Sequence, residues 1–353
     1  MKLFYIVIFM PMMMFASVKS DFYLWQRTHT DSVKNAVDDF YKNSSGYLYF
    51  LAAEFENDGK IIPVKQSSSI KFERSVPVFR IHIKHIKKSA ALLVDEICRA
   101  YAPYKTAKAL QIDLDAPESK IDYYCELMLE LRKKLPDVKL SATVLPCHLK
   151  HTKKFTELAK ACDFYVLQVH GLTKESGIWS IYDHKTAQNA LAKAKKIALP
   201  FKVALPLYCN ILSQKLLVKP DLYKVAELAV QCPEIIVFRL GNKDDGQSLD
   251  FDNAVKICNG KYSPELRFHW QKQNDFLWYL SIENCGFFAE KVTLELEYDK
   301  ESVADMDTFN YAILNSNKLS IILPPSGTCR KFLWVRTKNK QNIENIIRIK
   351  EEK

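Results

Sequence analysis

Residues 110–119 read LQIDLDAPES and combine the pattern of a buried strand with two acidic side chains at its end. Side chains alternate between the two faces of a strand, so Gln111, Asp113 and Asp115 share one face, while the aliphatic residues between them share the other. A buried carboxylate costs free energy unless it is paired, so such residues are either neutralised by basic partners or placed at an open site. The stretch therefore predicts a strand that ends either at ion-paired carboxylates or at an open site, and the rest of the sequence decides between them.

Further strand-like apolar runs precede and follow this stretch, and helical patterns separate most of them. The predicted strands are Phe22–Trp25, Tyr47–Phe55, Val76–Ile83, Ala109–Asp115, Lys139–Pro146, Phe164–Gly171, Phe201–Tyr208 and Ile235–Asn242. The predicted helices are Asp31–Tyr41, Lys88–Tyr101, Ser119–Leu135, Thr152–Ala161, His184–Ala198, Pro220–Gln231 and Asp250–Asn259. Apolar strands joined through helices favour a parallel sheet that helices cover. The repeat predicts an α/β fold, a (β/α)8 TIM barrel over residues 21–260. The polar segment Glu56–Ser75 is expected to be a long loop or a short β excursion.

The pattern changes after Gly260. Segments such as EKVTLELEYD and CRKFLWVRT alternate apolar and polar residues and are bounded by Asn, Gly, Pro and Ser. This alternation is typical of antiparallel strands. It predicts a small all-β sandwich-like accessory domain over residues 261–345, and the charged residues 346–353 are expected to form a tail.

The amino terminus has the pattern of a secretory signal peptide over residues 1–20. An apolar run extends over Leu3–Ala16, and the small residues Val18 and Ser20 suit a cleavage site. The run is shorter than the roughly 18–20 residues that span a bilayer, and Pro11 interrupts it. The sequence therefore predicts a periplasmic or extracellular protein without a stable membrane span after signal removal.

Composition argues against several other classes of function. The net charge of the 353 residues is +10, but the lysines are spread over the predicted helices, which indicates a solvated surface and no nucleic-acid partner. The nine cysteines form no C-x-x-C pair, which disfavours a metal cluster. The sequence contains neither G-x-G-x-x-G after a predicted strand nor G-x-x-x-x-G-K-[ST], the glycine-rich motifs that bind nucleotide phosphates. We expect no cofactor and no metal.

Polar and aromatic side chains recur near the carboxyl ends of the predicted strands, where TIM barrels carry their chemistry. Aromatic rings can pack against the apolar face of a sugar ring, while polar groups bond its hydroxyls. This combination of aromatic and polar side chains therefore favours a carbohydrate ligand. The predicted substrate-binding residues are Trp25, Arg27, Arg80, His82, Gln168, His170, Tyr208 and Arg239.

Three carboxylates are the predicted catalytic residues. Two neighbouring carboxyls raise one pKa, so that one of them can donate a proton. Asp115, nearer the mouth, is the predicted general acid, and Asp113 would orient it or tune its pKa, with Arg80 or Arg239 as counter-charge. Glu54 is the candidate for a second catalytic carboxylate. Same-face neighbours lie about 6.6–7 Å apart along a strand, which is compatible with both retaining and inverting mechanisms.

Several segments, in order, resemble the bacterial domain-of-unknown-function family 3142. They are LWQRTHT, YLYFLAAEFENDG, LQIDLDAPESKIDYY, LSATVLPCHL, YVLQVHGL and FKVALPLY. The resemblance covers most of residues 22–242. It implies a glycosidase-like TIM barrel and supplies a fold more than a reaction.

The fourth strand is also similar to that of chitinase-type glycosidases, which ends in Asp-x-Asp-x-Glu followed by Tyr-Pro. In this chain the three positions hold Gln111, Asp113 and Asp115, and Ala116 and Pro117 follow. Asp115 thus stands where that family has its acid Glu. An aspartate side chain is about one methylene shorter, so its carboxyl reaches less far.

The sequence predicts an exported glycoside hydrolase that acts on a polysaccharide or glycoconjugate by carboxylate acid/base catalysis. Two alternatives remain open. One is a non-catalytic carbohydrate-binding barrel, with the sandwich as an accessory sugar-binding or packing module. The other is a metal-dependent hydrolase in which His82, His170 and Asp113 hold the metal.

Overall fold

The computed structural model of the protein describes residues 20–175, 177–213, 216–263, 266–285, 290–309, 312–323 and 330–351. Apart from Ser20, the predicted signal peptide lies outside these described residues. The chain forms two compact units. The first contains the described residues of Met1–Gln168, Lys193–Ala204 and Pro233–Phe238; the second contains those of Val169–Ala192, Leu205–Cys232 and Arg239–Lys353.

The strands and helices follow one another much as the sequence predicts. In chain order the strands are β1 (Asp21–Leu24), β2 (Leu48–Phe55), β3 (Ile61–Pro63), β4 (Ser75–Ile81), β5 (Ala109–Asp113), β6 (Lys139–Val144), β7 (Phe164–Gln168), β8 (Thr173–Glu175), β9 (Ile178–Ser180), β10 (Phe201–Pro206), β11 (Asn210–Ser213), β12 (Leu216–Val218), β13 (Ile235–Phe238), β14 (Leu266–Lys272), β15 (Leu277–Asn284), β16 (Glu290–Tyr298), β17 (Val303–Thr308), β18 (Ala312–Asn315), β19 (Lys318–Leu323), β20 (Arg330–Thr337) and β21 (Ile347–Glu351). The α-helices are α1 (Asp31–Asn43), α2 (Ala90–Tyr101), α3 (Ile121–Lys134), α4 (Thr152–Ala161), α5 (His184–Ile197), α6 (Leu222–Ala229) and α7 (Phe251–Cys258).

Eight parallel strands close into the predicted barrel. Their order is β1-β13-β10-β7-β6-β5-β4-β2, and β1 pairs again with β2. Side chains that point inward, among them Tyr23, Tyr49, Val78 and Val166, form an apolar cluster. The TIM barrel is therefore confirmed. The polar segment after β2 contains β3, which pairs antiparallel with β2, so this segment includes a short β excursion.

Helix α2 illustrates why the segments between the strands are helical. The Ser89 hydroxyl accepts a hydrogen bond from the Leu92 N–H and caps the first turn. Leu93, Val94 and Ile97, spaced by one, three and four residues, are fully buried. One apolar stripe thus packs inward while the other face meets solvent. No helix in the described ranges is long and apolar enough to span a membrane.

The fourth barrel strand is shorter than the sequence predicts. β5 ends at Asp113, so Asp115 lies in the following loop and does not share a strand face with it. The Ala116 N–H bonds to the Leu114 carbonyl at 2.7 Å and turns the chain. Pro117, which follows, has no N–H to continue a ladder. The strand extension predicted up to Asp115 is therefore wrong, because a local turn replaces the ladder there.

The carboxyl-terminal part is all-β, as predicted, and forms two four-stranded sheets. Their orders are β14-β15-β20-β17 and β18-β19-β16-β21. Alternate residues of both sheets, such as Leu280 and Ile282 from one and Leu294 and Leu296 from the other, meet in one apolar core. This arrangement is sandwich-like.

The last strand falls in the segment that was expected to be a charged tail. β21 pairs antiparallel with β16, with Ile349 opposite Leu296. Ile347 is buried in the same core, so the charged residues alternate with inward isoleucines. The predicted domain boundaries remain a prediction.

Candidate functional site

An open cavity of about 250 Å³ lies in the first unit, where β2, β4 and β5 end. Five of the residues that line it are sequence-predicted site residues. The lining residues are Glu54, Phe55, Glu56, Arg80, Ile81, His82, Ile83, Asp113 and Asp115. The carboxyl ends of three adjacent barrel strands thus bring these polar groups together.

Glu54, on β2, is held by two guanidinium groups. Arg27 donates from Nε to Oε2 at 2.5 Å and from Nη2 to Oε1 at 2.7 Å, which is a bidentate pair. Arg80 Nη1 donates to Oε1 at 2.9 Å. Burial by itself raises the pKa of Glu54, but the hydrogen bonds and charges of Arg27 and Arg80 outweigh it and hold this pKa below its ordinary value. Glu54 is therefore ionised at neutral pH and cannot act as the proton donor.

The role of Glu54 follows from where the two arginines come from. Arg27 lies just after β1 and Arg80 on β4, the two barrel neighbours of β2. Their side chains remain 59% and 44% exposed, so each guanidinium faces solvent while one buried carboxylate anchors it. Glu54 thus fixes two cationic donors at the ends of β1 and β4. Its catalytic role remains a prediction.

Glu54→Gln is expected to lower the free energy of unfolding by about 2–3 kcal/mol at pH 7, because hydrogen bonds between charged groups are replaced by weaker ones. The folded-state pKa is lowered, so the stabilisation is present above the unfolded pKa of about 4.3 and is lost as pH falls through the folded value. Urea unfolding at several pH values measures both effects. Glu56→Gln, two residues along, is the control; an equal loss in both variants would contradict this assignment.

Asp113, the last residue of β5, is a buried carboxyl. It is 8% exposed, and the Thr143 hydroxyl on β6 donates to its Oδ1 at 2.7 Å. Burial and the charge of Asp115 raise the pKa of Asp113 to about 7, against the hydrogen bond from Thr143 and the charge of Arg80. Asp113 therefore keeps a proton up to neutral pH.

Asp115 lies two residues further along, in the loop, and solvent reaches its side chain. The surrounding protein still limits hydration of the carboxyl, and this desolvation raises its pKa, whereas the charge of Arg80 lowers it. The two aspartates influence each other's titration, so the observable pKa values belong to the pair. The pair retains one proton near neutral pH, next to an exposed carboxyl.

His148 holds the loop that carries Asp115. Its ring is fully buried, Nδ1 accepts from the Leu145 N–H at 3.2 Å, and Nε2 lies 2.7 Å from the Ala116 carbonyl oxygen. These partners assign the proton of the neutral ring to Nε2. Burial lowers the pKa of His148, so the ring is neutral at pH 7. A residue after β6 thereby fixes the backbone next to Asp115.

His148→Ala is expected to lower the free energy of unfolding by about 2–4 kcal/mol, because it opens a cavity and leaves the Ala116 carbonyl without its donor. His148→Gln keeps a donor and should recover part of this loss. Chemical denaturation measures both, and His151→Ala, at an exposed neighbour, is the control. Equal stability of the alanine and glutamine variants would show that the hydrogen bond to Ala116 contributes nothing.

The barrel interior beneath the cavity is aromatic and neutral. Trp25 is half-buried and packs against Tyr23 and Phe238, with ring centroids 5.7 and 5.3 Å apart. Below Asp113, the fully buried Gln111 accepts a hydrogen bond from the Tyr23 hydroxyl at 2.8 Å. The position that carries the first Asp in the chitinase-type pattern therefore holds an amide bonded to a tyrosine.

The other predicted binding residues lie in different surroundings. His82 is exposed at the cavity, and its Nδ1 accepts from the Lys84 N–H at 3.3 Å. Gln168 is the half-buried last residue of β7. His170, Tyr208 and Arg239 belong to the second unit.

Within the second unit these three residues make their own contacts. The Tyr208 hydroxyl lies 3.4 Å from His170 Nδ1, and the rings meet edge to face. Burial lowers the pKa of His170 to about 3, so its ring is neutral. Arg239 bonds to Ser248 at 2.9 Å and pairs with Asp245 at 2.9 Å. Asp245 is thus a counter-charge of Arg239 within the second unit.

Thr143 was not predicted, although it contacts the buried acid. Ser141 and Thr143 are buried polar residues on the inward face of β6, in the otherwise apolar run LSATV. These two hydroxyl residues on one face of a predicted barrel strand are the sequence feature that indicates a polar contact inside the barrel. Among the described residues, no group of three or more His, Cys, Asp or Glu side chains lies where it could hold a metal ion.

Comparison with known proteins gives weak structural likenesses and one family match. No curated protein matches the chain. The structure is similar to the chitinase ChiA74 from Bacillus thuringiensis, with 7% identity and a TM-score of 0.45, over 95% of this chain and 100% of that one. It is similar to an α-L-arabinofuranosidase from Thermotoga maritima, with 12% identity and a TM-score of 0.37, over 92% of each chain. The family resemblance seen in the sequence is confirmed: residues 78–219 match the family model described as a domain of unknown function, DUF3142.

Proposed function

We propose that this protein is an exported glycoside hydrolase that cleaves a polysaccharide or glycoconjugate by carboxylate acid/base catalysis. One observation carries the proposal. At the carboxyl end of the fourth barrel strand, two aspartates with raised pKa values titrate together, one buried against Thr143 and the other open to solvent. Such a pair is a proton donor that works near neutral pH.

In this proposal Asp115 delivers the proton, because it is the member of the pair that a substrate can reach. Proton transfer to the glycosidic oxygen leaves Asp115 negatively charged as the bond to the leaving group breaks. Water then adds its oxygen to the anomeric carbon, and the proton that this water releases returns to Asp115. Arg80, whose charge acts on both aspartates, stabilises the carboxylate that forms. In this proposal the buried Asp113, whose pKa is raised to about 7, holds the proton that Asp115 passes on to the substrate.

The rest of the cavity suits one sugar ring. Its volume of about 250 Å³ is below the roughly 300–1,000 Å³ of sites for drug-sized ligands. The exposed His82 and the two guanidinium groups held by Glu54 offer hydrogen-bond donors to hydroxyls. A longer glycan would place one residue in the cavity and extend beyond it. Export is supported by the apolar run Leu3–Ala16, followed by small residues.

A polysaccharide panel tests the proposal. The mature protein is incubated with each glycan, and both binding and the release of reducing ends are measured between pH 5 and pH 8. The proposal predicts release from at least one glycan, with a rate that falls as pH rises through about 7, where the pair loses its last proton. Release without this pH dependence would exclude the aspartate pair as the proton source.

A non-catalytic carbohydrate-binding role is the second candidate, and an observation in the second unit favours it. On the outer face of the β14-β15-β20-β17 sheet, Gln271, Tyr279, Trp334 and Asp307 lie opposite one another in one row across the four strands. Tyr279 and Trp334 are half-buried neighbours, and Lys331 lies over the Tyr279 ring at 4.4 Å.

The two adjacent rings can pack against the apolar face of a sugar, and the amide of Gln271 and the carboxylate of Asp307 beside them can bond to its hydroxyls. The same panel separates the two functions. Binding of a glycan without release of reducing ends at any pH would support this second candidate and overturn the hydrolase.

A further inference from the structure

We propose that the barrel carries a second ligand site at the opposite end of its strands, which takes a neutral single-ring aromatic compound with one hydroxyl group. The site is a cavity of about 490 Å³ in the first unit. Ala109 at the start of β5 lines it, whereas Asp113 at the end of β5 lines the catalytic candidate. At about 3.3 Å per residue, the two cavities are separated by roughly 13 Å of strand.

The inner wall of this cavity is largely apolar and aromatic. It includes Tyr49, Val76, Ala109 and Phe164, near the amino-terminal ends of β2, β4, β5 and β7. Tyr49 and Val76 are 2% and 5% exposed and belong to the apolar cluster inside the barrel. A ring that entered here would contact side chains already fixed by the barrel core.

The charges around the cavity do not favour an anion. Lys202 lies over the Phe164 ring at 5.1 Å, but it pairs with Asp21 at 2.7 Å and with Glu234 at 2.9 Å, so its charge is balanced. The exposed rim carries Lys108 and Lys139 together with Glu73 and Asp137. Charges of both signs in equal number favour a neutral ligand.

Ser141 supplies the polar contact. Ser141 is one of the residues that line the cavity, it is 1% exposed, and within the described part of the chain its Oγ has no hydrogen-bond partner. A buried hydroxyl without a partner costs free energy, so a ligand that bonds to it gains this amount. Because Ser141 belongs to the lining, one hydroxyl on an apolar ring can satisfy it.

The volume of the cavity favours a ligand over a single trapped water molecule. A water molecule has a liquid volume of about 30 Å³, so one water at Ser141 would leave most of the apolar wall without contacts. The volume of about 490 Å³ lies within the range of small-molecule sites. These observations together point to a phenol-like ring. This site is independent of the proposed hydrolase activity.

Titration of the full-length mature protein with 4-fluorophenol, followed by fluorine NMR, tests the site. The wild type should bind saturably in the millimolar range. Ser141→Ala should weaken binding about 3- to 10-fold, since it removes one neutral hydrogen bond. Ala109→Leu, which fills the cavity, should abolish binding. Asp115→Asn, at the other end of the barrel, should bind as the wild type does.

Thermal unfolding shows whether each variant is folded. Ser141→Ala is the smaller change, so it keeps the test valid if the leucine variant does not fold. Absence of saturable binding to the wild type would overturn the proposal. So would equal affinity of the wild type and Ser141→Ala, or a crystal structure of the soaked protein with only water at Ser141.

Discussion

Asp115→Asn is expected to lower kcat for glycoside cleavage by about 10²- to 10⁴-fold, the usual contribution of a positioned general acid. Asparagine has nearly the same shape but cannot donate a proton in the reaction. Because the cavity lining is otherwise unchanged, affinity for the glycan should change by less than about threefold. Initial rates and equilibrium binding on the glycan identified by the panel measure both quantities.

Glu118, three residues along the chain from Asp115, provides a matched control. Glu118 is an exposed carboxylate that pairs with His151 and Lys150 and does not line the cavity. Glu118→Gln should retain the activity of the wild type. An Asp115→Asn protein with full activity would exclude Asp115 as the acid. Loss of activity in both variants would point to a disturbed loop instead of lost proton donation.

Asp113→Asn is expected to stabilise the protein increasingly as pH rises. The folded-state pKa of Asp113 is raised to about 7, so between pH 4 and pH 7 the native state binds more protons than the unfolded state. Stability of the wild type therefore falls as pH rises through this window. Asparagine does not titrate and can still accept the hydrogen bond from Thr143. The gain in free energy of unfolding should be about 2–3 kcal/mol larger at pH 8 than at pH 5.

Urea unfolding at the two pH values measures this difference. Asp122→Asn, at a carboxylate that is 63% exposed, is the control and should show no comparable gain. The same Asp113→Asn variant removes the carboxyl that holds a proton up to about pH 7, so any remaining activity should fall at lower pH than in the wild type. A gain independent of pH would mean that Asp113 does not carry a raised pKa.

Local sequence determined the elements of both compact units. Apolar runs separated by helical periods located all eight barrel strands, and α4 has the predicted bounds Thr152–Ala161. Alternation predicted the antiparallel strands near the carboxyl terminus. These features depend on neighbours a few residues apart, so periodicity is sufficient to read them. Because the end of a parallel barrel strand is a fixed place in the fold, Arg80 and Asp113 could also be assigned to the cavity.

Only the tertiary structure decided what those side chains do. Arg27, just after β1, and Arg80, on β4, bond to Glu54, so this predicted catalytic carboxylate is ion-paired. His148 is distant in sequence from the loop it holds. Burial and charges from several strands set the protonation of Asp113. The barrel brings these groups together although 26 to 32 residues of chain separate the bonded partners. The energies of such contacts depend on distance and burial in the folded chain, so no local sequence pattern predicts them.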